Sequence, residues 1–339
     1  MKYVEATKDG FRLINRNWQL VLIQVGVMFF SFVAFFIIVG IPLAVAFIIF
    51  GVDLTQWADV NDIFNLLRAP SDLLSKYVGL IVLIAASFAL YVLVVAVLGI
   101  YMFAGSIGVI GRTIKEKTPK FTLRLFTDEA KKLFLRLLAF TTLIGIIFII
   151  AAFFLGLLSG GIAAIISYAQ SADSTLALFF GTFFVLMLVI VGLALILGLL
   201  SLTLYGIAAL FFKGTGALRA IGEAARFLSK YPNGFWLYAV LSVAYLLASF
   251  LLLLLSYPFT LIPIIGPILA FPHQLISYVF QAYLGLVMFA IIMSYYYSKE
   301  FPAETAQPGV ESPVSEPSTE QTDAANAEAS NSVPSTPTD

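Results

Sequence analysis

The sequence predicts an all-α, polytopic integral membrane protein with six transmembrane helices. Three observations carry that prediction. First, six long apolar runs contain no charged residue: Gln19–Gly51, Tyr77–Gly111, Leu137–Tyr168, Leu176–Phe212, Phe235–Tyr257 and Leu275–Tyr297. Each is long enough to cross a hydrocarbon core of about 30 Å. Second, 61% of the 339 residues are hydrophobic and 11% are charged, against about 45–50% and 25% in soluble domains. Third, 17 of the 19 lysines and arginines fall in residues 1–17, 112–136, 213–233 and at Lys299. Only Arg68 and Lys76 lie on the intervening connections. By the positive-inside rule this sorting puts both termini in the cytoplasm.

The chain opens on MKYVEATKDGFRLINRN, which is not a cleavable signal, because the apolar run behind it is too long. Val4, Phe11, Ile14 and Trp18 fall on one helical stripe, and Lys8, Arg12 and Arg16 recur every four residues on another. This is the pattern of a helix lying at a membrane surface, although a plain polar lead-in to a span would also read this way. At 1.5 Å per residue the first run is roughly 50 Å long, too long for one straight crossing. Gly40-Ile41-Pro42 is expected to kink or break it.

The polar connection 52–76 contains Asp59, Asn61 and Asp62, which look like the start of a calcium loop. The fifth and sixth loop positions are Ile63 and Phe64, so the match fails. Asn61 or Asp62, and Ser71 after Pro70, suit the caps of short helices better. In the second run Gly105, Gly108 and Gly111 lie three apart, a spacing that lets helix backbones approach closely.

The most basic stretch, RTIKEKTPKFTLRLFTDEAKKLFLR (112–136), ends as an amphipathic helix that runs into the third span. That span carries Gly156, Gly160 and Gly161, a GxxxG pattern more often used within a chain than between chains. The third basic piece, KGTGALRAIGEAARFLSKYPN (213–233), has Leu218, Ile221, Ala225 and Leu228 as its expected apolar face. Arg219, Glu223, Arg226 and Lys230 lie largely on the other face. After the fifth span, Pro258, Pro263, Pro267 and Pro272 are expected to forbid a regular helix and to form an interfacial or re-entrant hairpin. Tyr295-Tyr296-Tyr297 suits an aromatic belt at the end of the sixth span. Residues 301–339 contain seven acids, six prolines and no Lys or Arg, and are expected to be a disordered cytoplasmic tail.

The order of basic amphipathic helix, span, outer connection and span occurs three times, in 1–111, 112–212 and 213–300. Each first span is followed by an apolar extension rich in glycine or proline. A parallel, pseudo-threefold repeat within a membrane domain of residues 1–300 would follow. The segments GFRLINRNWQL, FTDEAKKLFLRLL and AIGEAARFLSKYPNGFW each lead into a span. With them the chain resembles a loose group of uncharacterised prokaryotic six-span membrane proteins. It is also similar to the membrane region attached to some glycerophosphoryl diester phosphodiesterases. The soluble phosphodiesterase domain and its catalytic residues are absent from this sequence. The resemblance therefore implies a fold and a membrane role but no activity.

Little in the sequence supports catalysis. There is no cysteine, which removes thiolate, disulfide and Cys-zinc chemistry. The only histidine, His273, has no carboxylate near it in sequence to complete a zinc site. No ionisable residue lies in the central part of any run, so the usual intramembrane proton relay or aspartate pair is missing. The expectation is a protein without catalytic residues, metal or cofactor, and without a nucleic-acid partner. It would organise lipids or partner proteins at the cytoplasmic surface of the cell membrane. Lys8, Arg12, Arg16, Arg124, Lys131, Lys132, Arg219, Arg226 and Lys230 are the candidates to meet anionic lipid headgroups or an interface. The acidic tail is a candidate to bind a protein partner or to compete with lipid for those cations.

The alternative is a channel or permease for an uncharged or lipid-like solute. It requires Gln24, Ser31, Ser87, Tyr91, Thr141, Thr142, Thr182, Ser201, Thr203 and Ser242 to converge on one path.

Overall fold

The computed structural model describes residues 3–56, 70–116, 121–172, 174–260 and 265–302. Among these residues every regular element is helical. The order is α1 (Tyr3–Arg16), α2 (Gln19–Phe35), a π-helical turn (Phe36–Gly40), α3 (Ile41–Gln56), α4 (Pro70–Glu116), α5 (Leu123–Ala172), α6 (Ser174–Phe212), α7 (Ala217–Lys230), α8 (Asn233–Thr260) and α9 (Ile265–Glu300). Six segments are long and apolar enough to cross a membrane: Gln19–Gly51, Tyr77–Glu116, Leu123–Ser171, Ala177–Phe212, Asn233–Leu255 and Pro272–Glu300. The chain is thus a helical, multi-pass membrane protein.

The first span bends its hydrogen bonding without breaking. Pro42 has no N–H, and its ring would press on the carbonyl one turn earlier. The helix answers just before the proline with one wide turn, in which the Ile41 N–H reaches back five residues to the Phe36 carbonyl. α3 then continues the span.

α5 fuses a basic amphipathic segment to the third span in one helix of 50 residues, roughly 75 Å long. Thr122 caps it, its Oγ1 accepting from the Leu125 N–H at 3.3 Å. Phe126, Ala130, Leu133, Leu137, Phe140 and Ile144 form its buried stripe, spaced three and four apart as a helix requires. The helix runs unbroken through Gly156–Gly161, so the expected break in the second unit does not occur. Among the described residues nothing lies within 4 Å of a Cβ placed at Gly156, Gly160 or Gly161, so no packing contact of the expected kind is seen there.

The expected proline-broken hairpin is also corrected. Pro258 lies in the last turn of α8, Pro267 in the first turn of α9 and Pro272 inside α9. A first-turn proline costs nothing in lost bonds, because that N–H has no intrahelical partner anyway. Pro263 falls outside the described residues, as do the Asp59–Asp62 segment and the acidic tail. Ser71 is the second residue of α4 rather than a cap.

The core lies at the end of the bundle that carries the basic segments. One apolar cluster there draws Ile14 from α1, Ile107 from α4, Phe140 from α5, Leu210 from α6, Phe227 from α7 and Ile291 from α9. α9 packs against α1, α2, α4, α6 and α8. Its stretch 289–297, including Ala290, Ile291, Ile292 and Met293, is buried on all sides. Tyr295, Tyr296 and Tyr297 are therefore core residues and not an exposed belt. The Tyr296 ring stacks on Phe212 at 6.2 Å and meets Phe227 at 4.7 Å. Farther along the spans, large side chains such as Phe32, Phe153, Phe183, Leu246 and Leu253 are exposed, as lipid-facing positions are.

The glycines of α4 behave as their spacing implies. A Cβ at Gly105 would strike the Phe126 ring, one at Gly108 the Glu129 side chain, and one at Gly111 the Phe211 ring. α4 can lie against α5 and α6 because those positions are bare.

Candidate functional site

The two free-standing amphipathic helices turn stripes rich in small residues toward the protein, and of the expected stripe of α1 only Ile14 is buried. α1 turns Ala6, Gly10, Leu13 and Ile14 inward, whereas Val4, Phe11 and Trp18 are exposed. Gly10 sits against Ile291 of α9, leaving no room for a Cβ. α7 buries Ala220, Ala224 and Phe227, and Leu218 is 75% exposed. Of the face expected to be apolar, Ile221 and Leu228 are half-buried and Ala225 is exposed. Each helix thus has a small-residue stripe against the protein and a second apolar stripe facing outward. Such helices suit a position with protein on one side and lipid on another.

All nine candidate cations are exposed. Lys8, Arg12 and Arg16 ride on α1, Arg124, Lys131 and Lys132 on the first turns of α5, and Arg219, Arg226 and Lys230 on α7. The structure brings these three carriers to one end of the bundle through their shared core. It does not gather the nine side chains into a single pocket. Lys132 stands 3.5 Å from Glu129, and Arg226 3.2 Å from Glu223. The Lys230 ammonium lies 5.1 Å from the Tyr231 ring. Lys8, Arg12, Arg124, Lys131 and Arg219 have no ion-pair partner among the described residues.

Several polar anchors behind this surface were not singled out from the sequence. Asn17 is fully buried between α1 and α2. Its Nδ2 donates to the Leu13 carbonyl at 3.0 Å, and its Oδ1 accepts from the Phe121 N–H at 3.0 Å. Arg112 bridges Glu116 at 2.8 Å and Glu129 at 3.2 Å, linking α4 to α5. Lys213, in the turn before α7, reaches Glu223 at 2.7 Å and Glu300, at the end of α9, at 3.2 Å.

The hydrogen bond from Lys213 holds the Glu223 carboxyl below the ordinary range, against the opposing pull of burial and with help from the Lys213 and Arg226 charges. Burial alone would lower the Lys213 ammonium, but the carboxylates and the nearby Tyr296 outweigh it and the net shift is upward. Tyr205, fully buried in α6, donates from its hydroxyl to the Gly234 carbonyl at 2.9 Å and ties α6 to the start of α8. Arg136 donates to the Gly214 carbonyl at 3.3 Å rather than standing alone at a span entrance.

The polar residues of the spans do not form a continuous path. Ser31, Ser87, Thr142 and Thr203 each return their hydroxyl to the carbonyl four residues back in their own helix. Tyr91 packs its ring on Phe35 at 5.3 Å. Thr141 and Thr182 are exposed, and Ser201 and Ser242 are buried. Gln24 approaches Ser106 of α4 at 3.5 Å. At the basic end Ile107, Phe140, Leu210, Ile291 and Met293 are buried in the interior. His273 faces Ser277 at 3.5 Å on its own helix. No group of three His, Cys, Asp or Glu is placed to hold a metal ion among the described residues.

Compared with protein-family models, with curated proteins and with solved structures, the chain matches none.

Proposed function

We propose that this protein is a non-catalytic membrane organiser, which binds anionic lipids or partner proteins along the basic end of its bundle. One observation carries it. Two amphipathic helices and the head of a third present unpaired cations beside exposed apolar stripes, on a core that is closed behind them. Cations at that level can each contribute about 1 kcal/mol of attraction to an anionic leaflet. The sorting of Lys and Arg supports a cytoplasmic position for the basic end and for both termini. The recurrence of a basic helix before α2, within α5 and before α8 supports a threefold repeat, although α5 runs unbroken through the glycines of its extension. The acidic tail, carrying seven carboxylates, is suited to compete for the same cations or to recruit a basic partner. The apolar filling at the basic end weighs against a solute path through the bundle.

The test is purification of the full chain in mild detergent, with native mass spectrometry of what stays bound. Retained anionic lipid or a stoichiometric protein is expected. Reversing Arg12, Lys131 and Arg219 to glutamate should strip it. A chain that retains nothing, yet conducts a solute when placed in liposomes, would overturn the organising role in favour of a permease.

A further inference from the structure

A groove of about 410 Å³ runs between α1 and the first turns of α8. Val4, Thr7 and Lys8 form one wall, and Trp236, Val240 and Leu241 the other. We propose that it is the seat of a single anionic phospholipid, with an acyl chain between α1 and α8 and its phosphate on Lys8. This rests on the organising function proposed above and goes further, by naming one lipid class and one place.

Depth is the first argument. The apolar run of α8 begins at Phe235, so residues 236–241 lie within roughly 10 Å of where that span starts. That is the level where headgroups give way to chains, and Trp236, 64% exposed, is the residue type that favours it.

The walls supply the second. Apart from Thr7 and Lys8 they are hydrocarbon or aromatic, and no carboxylate lines them among the described residues. Glu5 and Asp9 share α1 but do not line the groove. Val4 and Val240 are 63% and 64% exposed, so the surface lacks a protein cover. The volume suits a segment of acyl chain.

Charge is the third. Lys8 is exposed and has no ion-pair partner among the described residues. Tyr3, which also lines the groove, stacks on Tyr295 at 6.0 Å. Beyond that pair Lys299 lies 5.9 Å from both the Tyr295 and Tyr231 rings, and Lys230 lies 5.1 Å from Tyr231. An anion at Lys8 would therefore sit at the one cation of the groove, beside an aromatic rim and an apolar slot, a combination that fits a glycerophospholipid better than free phosphate.

Trp236 is a built-in reporter. With Trp18 and Trp57 changed to phenylalanine it is the only tryptophan of the full chain. The protein is placed in phosphatidylcholine vesicles containing a minor fraction of phosphatidylglycerol, with bromine on the acyl chains of one lipid or the other. Brominated phosphatidylglycerol should half-quench Trp236 at roughly one fifth of the mole fraction that brominated phosphatidylcholine needs. Lys8→Gln should abolish that preference, Lys8→Arg should keep it, and Lys115→Gln, exposed at the end of α4, should leave it unchanged. Equal quenching by the two lipids, or a preference that survives Lys8→Gln, overturns the site. If it is overturned while native mass spectrometry still finds anionic lipid on the full chain, the organising function stands and the groove alone is wrong. If neither anionic lipid nor a stoichiometric protein is retained, both fall.

Discussion

The Phe121 N–H donates to the Asn17 carboxamide oxygen at 3.0 Å, joining two backbone segments 104 residues apart. One buried side chain thereby fixes the junction of α1 and α2 and the entry to α5. Asn17→Ala should destabilise the protein by about 1–3 kcal/mol, since it leaves a buried N–H without a partner. Thermal unfolding in detergent measures it, and an unchanged midpoint would show that the bond contributes nothing.

The glycines separate into two kinds, and leucine substitution distinguishes them. Gly108→Leu drives a side chain into Glu129 and should cost about 1–3 kcal/mol, or prevent assembly. Gly160→Leu meets nothing among the described residues and should be tolerated. Comparable losses of folded yield at the two sites would mean that Gly160 packs against another molecule.

Gly214 has φ +63, the left-handed region that an L side chain enters at a cost. Gly214→Ala should lose about 1 kcal/mol and loosen the bond from Arg136. Gly216, with φ −72 and an extended ψ, should accept alanine with little change. Denaturation midpoints of the two variants provide the comparison.

Acid should weaken the Lys213 cluster. The Glu223 carboxyl is held below its unfolded value, so its contribution is complete above the ordinary carboxylate range near about 4.3 and is lost as pH falls through the folded value. The Lys213 ammonium is raised, so its contribution is present below about 10.4 and is lost as pH rises through the folded value. Stability from this cluster is therefore flat through neutrality. Glu223→Gln should lower the unfolding midpoint at neutral pH and flatten the acid limb. An acid limb identical to that of the parent chain would exclude Glu223 as its source.

Much of the architecture was legible, because a span announces itself by length and lack of charge. The six apolar runs, the bend before Pro42 and the bare glycines of α4 all followed from local chemistry. The inward faces of α1 and α7 did not. Hydrophobic periodicity marks a stripe that avoids water, and protein and lipid satisfy that stripe equally. Small residues such as Ala6, Gly10, Ala220 and Ala224 were the available signal of the protein-facing side. Tyr295–Tyr297 misled for the same reason, since tyrosine serves a buried aromatic cluster as well as a membrane boundary. The prolines were over-read, since Pro267 occupies a first turn where its missing N–H is harmless. Asn17 and Lys213 left no local mark, because their partners lie far away in the sequence.

The docking of α1 on α9 also sets an order in time. α1 is made before its mate α9, and Gly10 has nothing to receive until Ile291 has emerged. During most of synthesis α1 is an amphipathic helix with an unfilled face, and a bilayer surface is the natural place for it to wait. Closure of the bundle is then the exchange of that lipid contact for α9, so a chain shortened before the sixth span would leave its own beginning stranded.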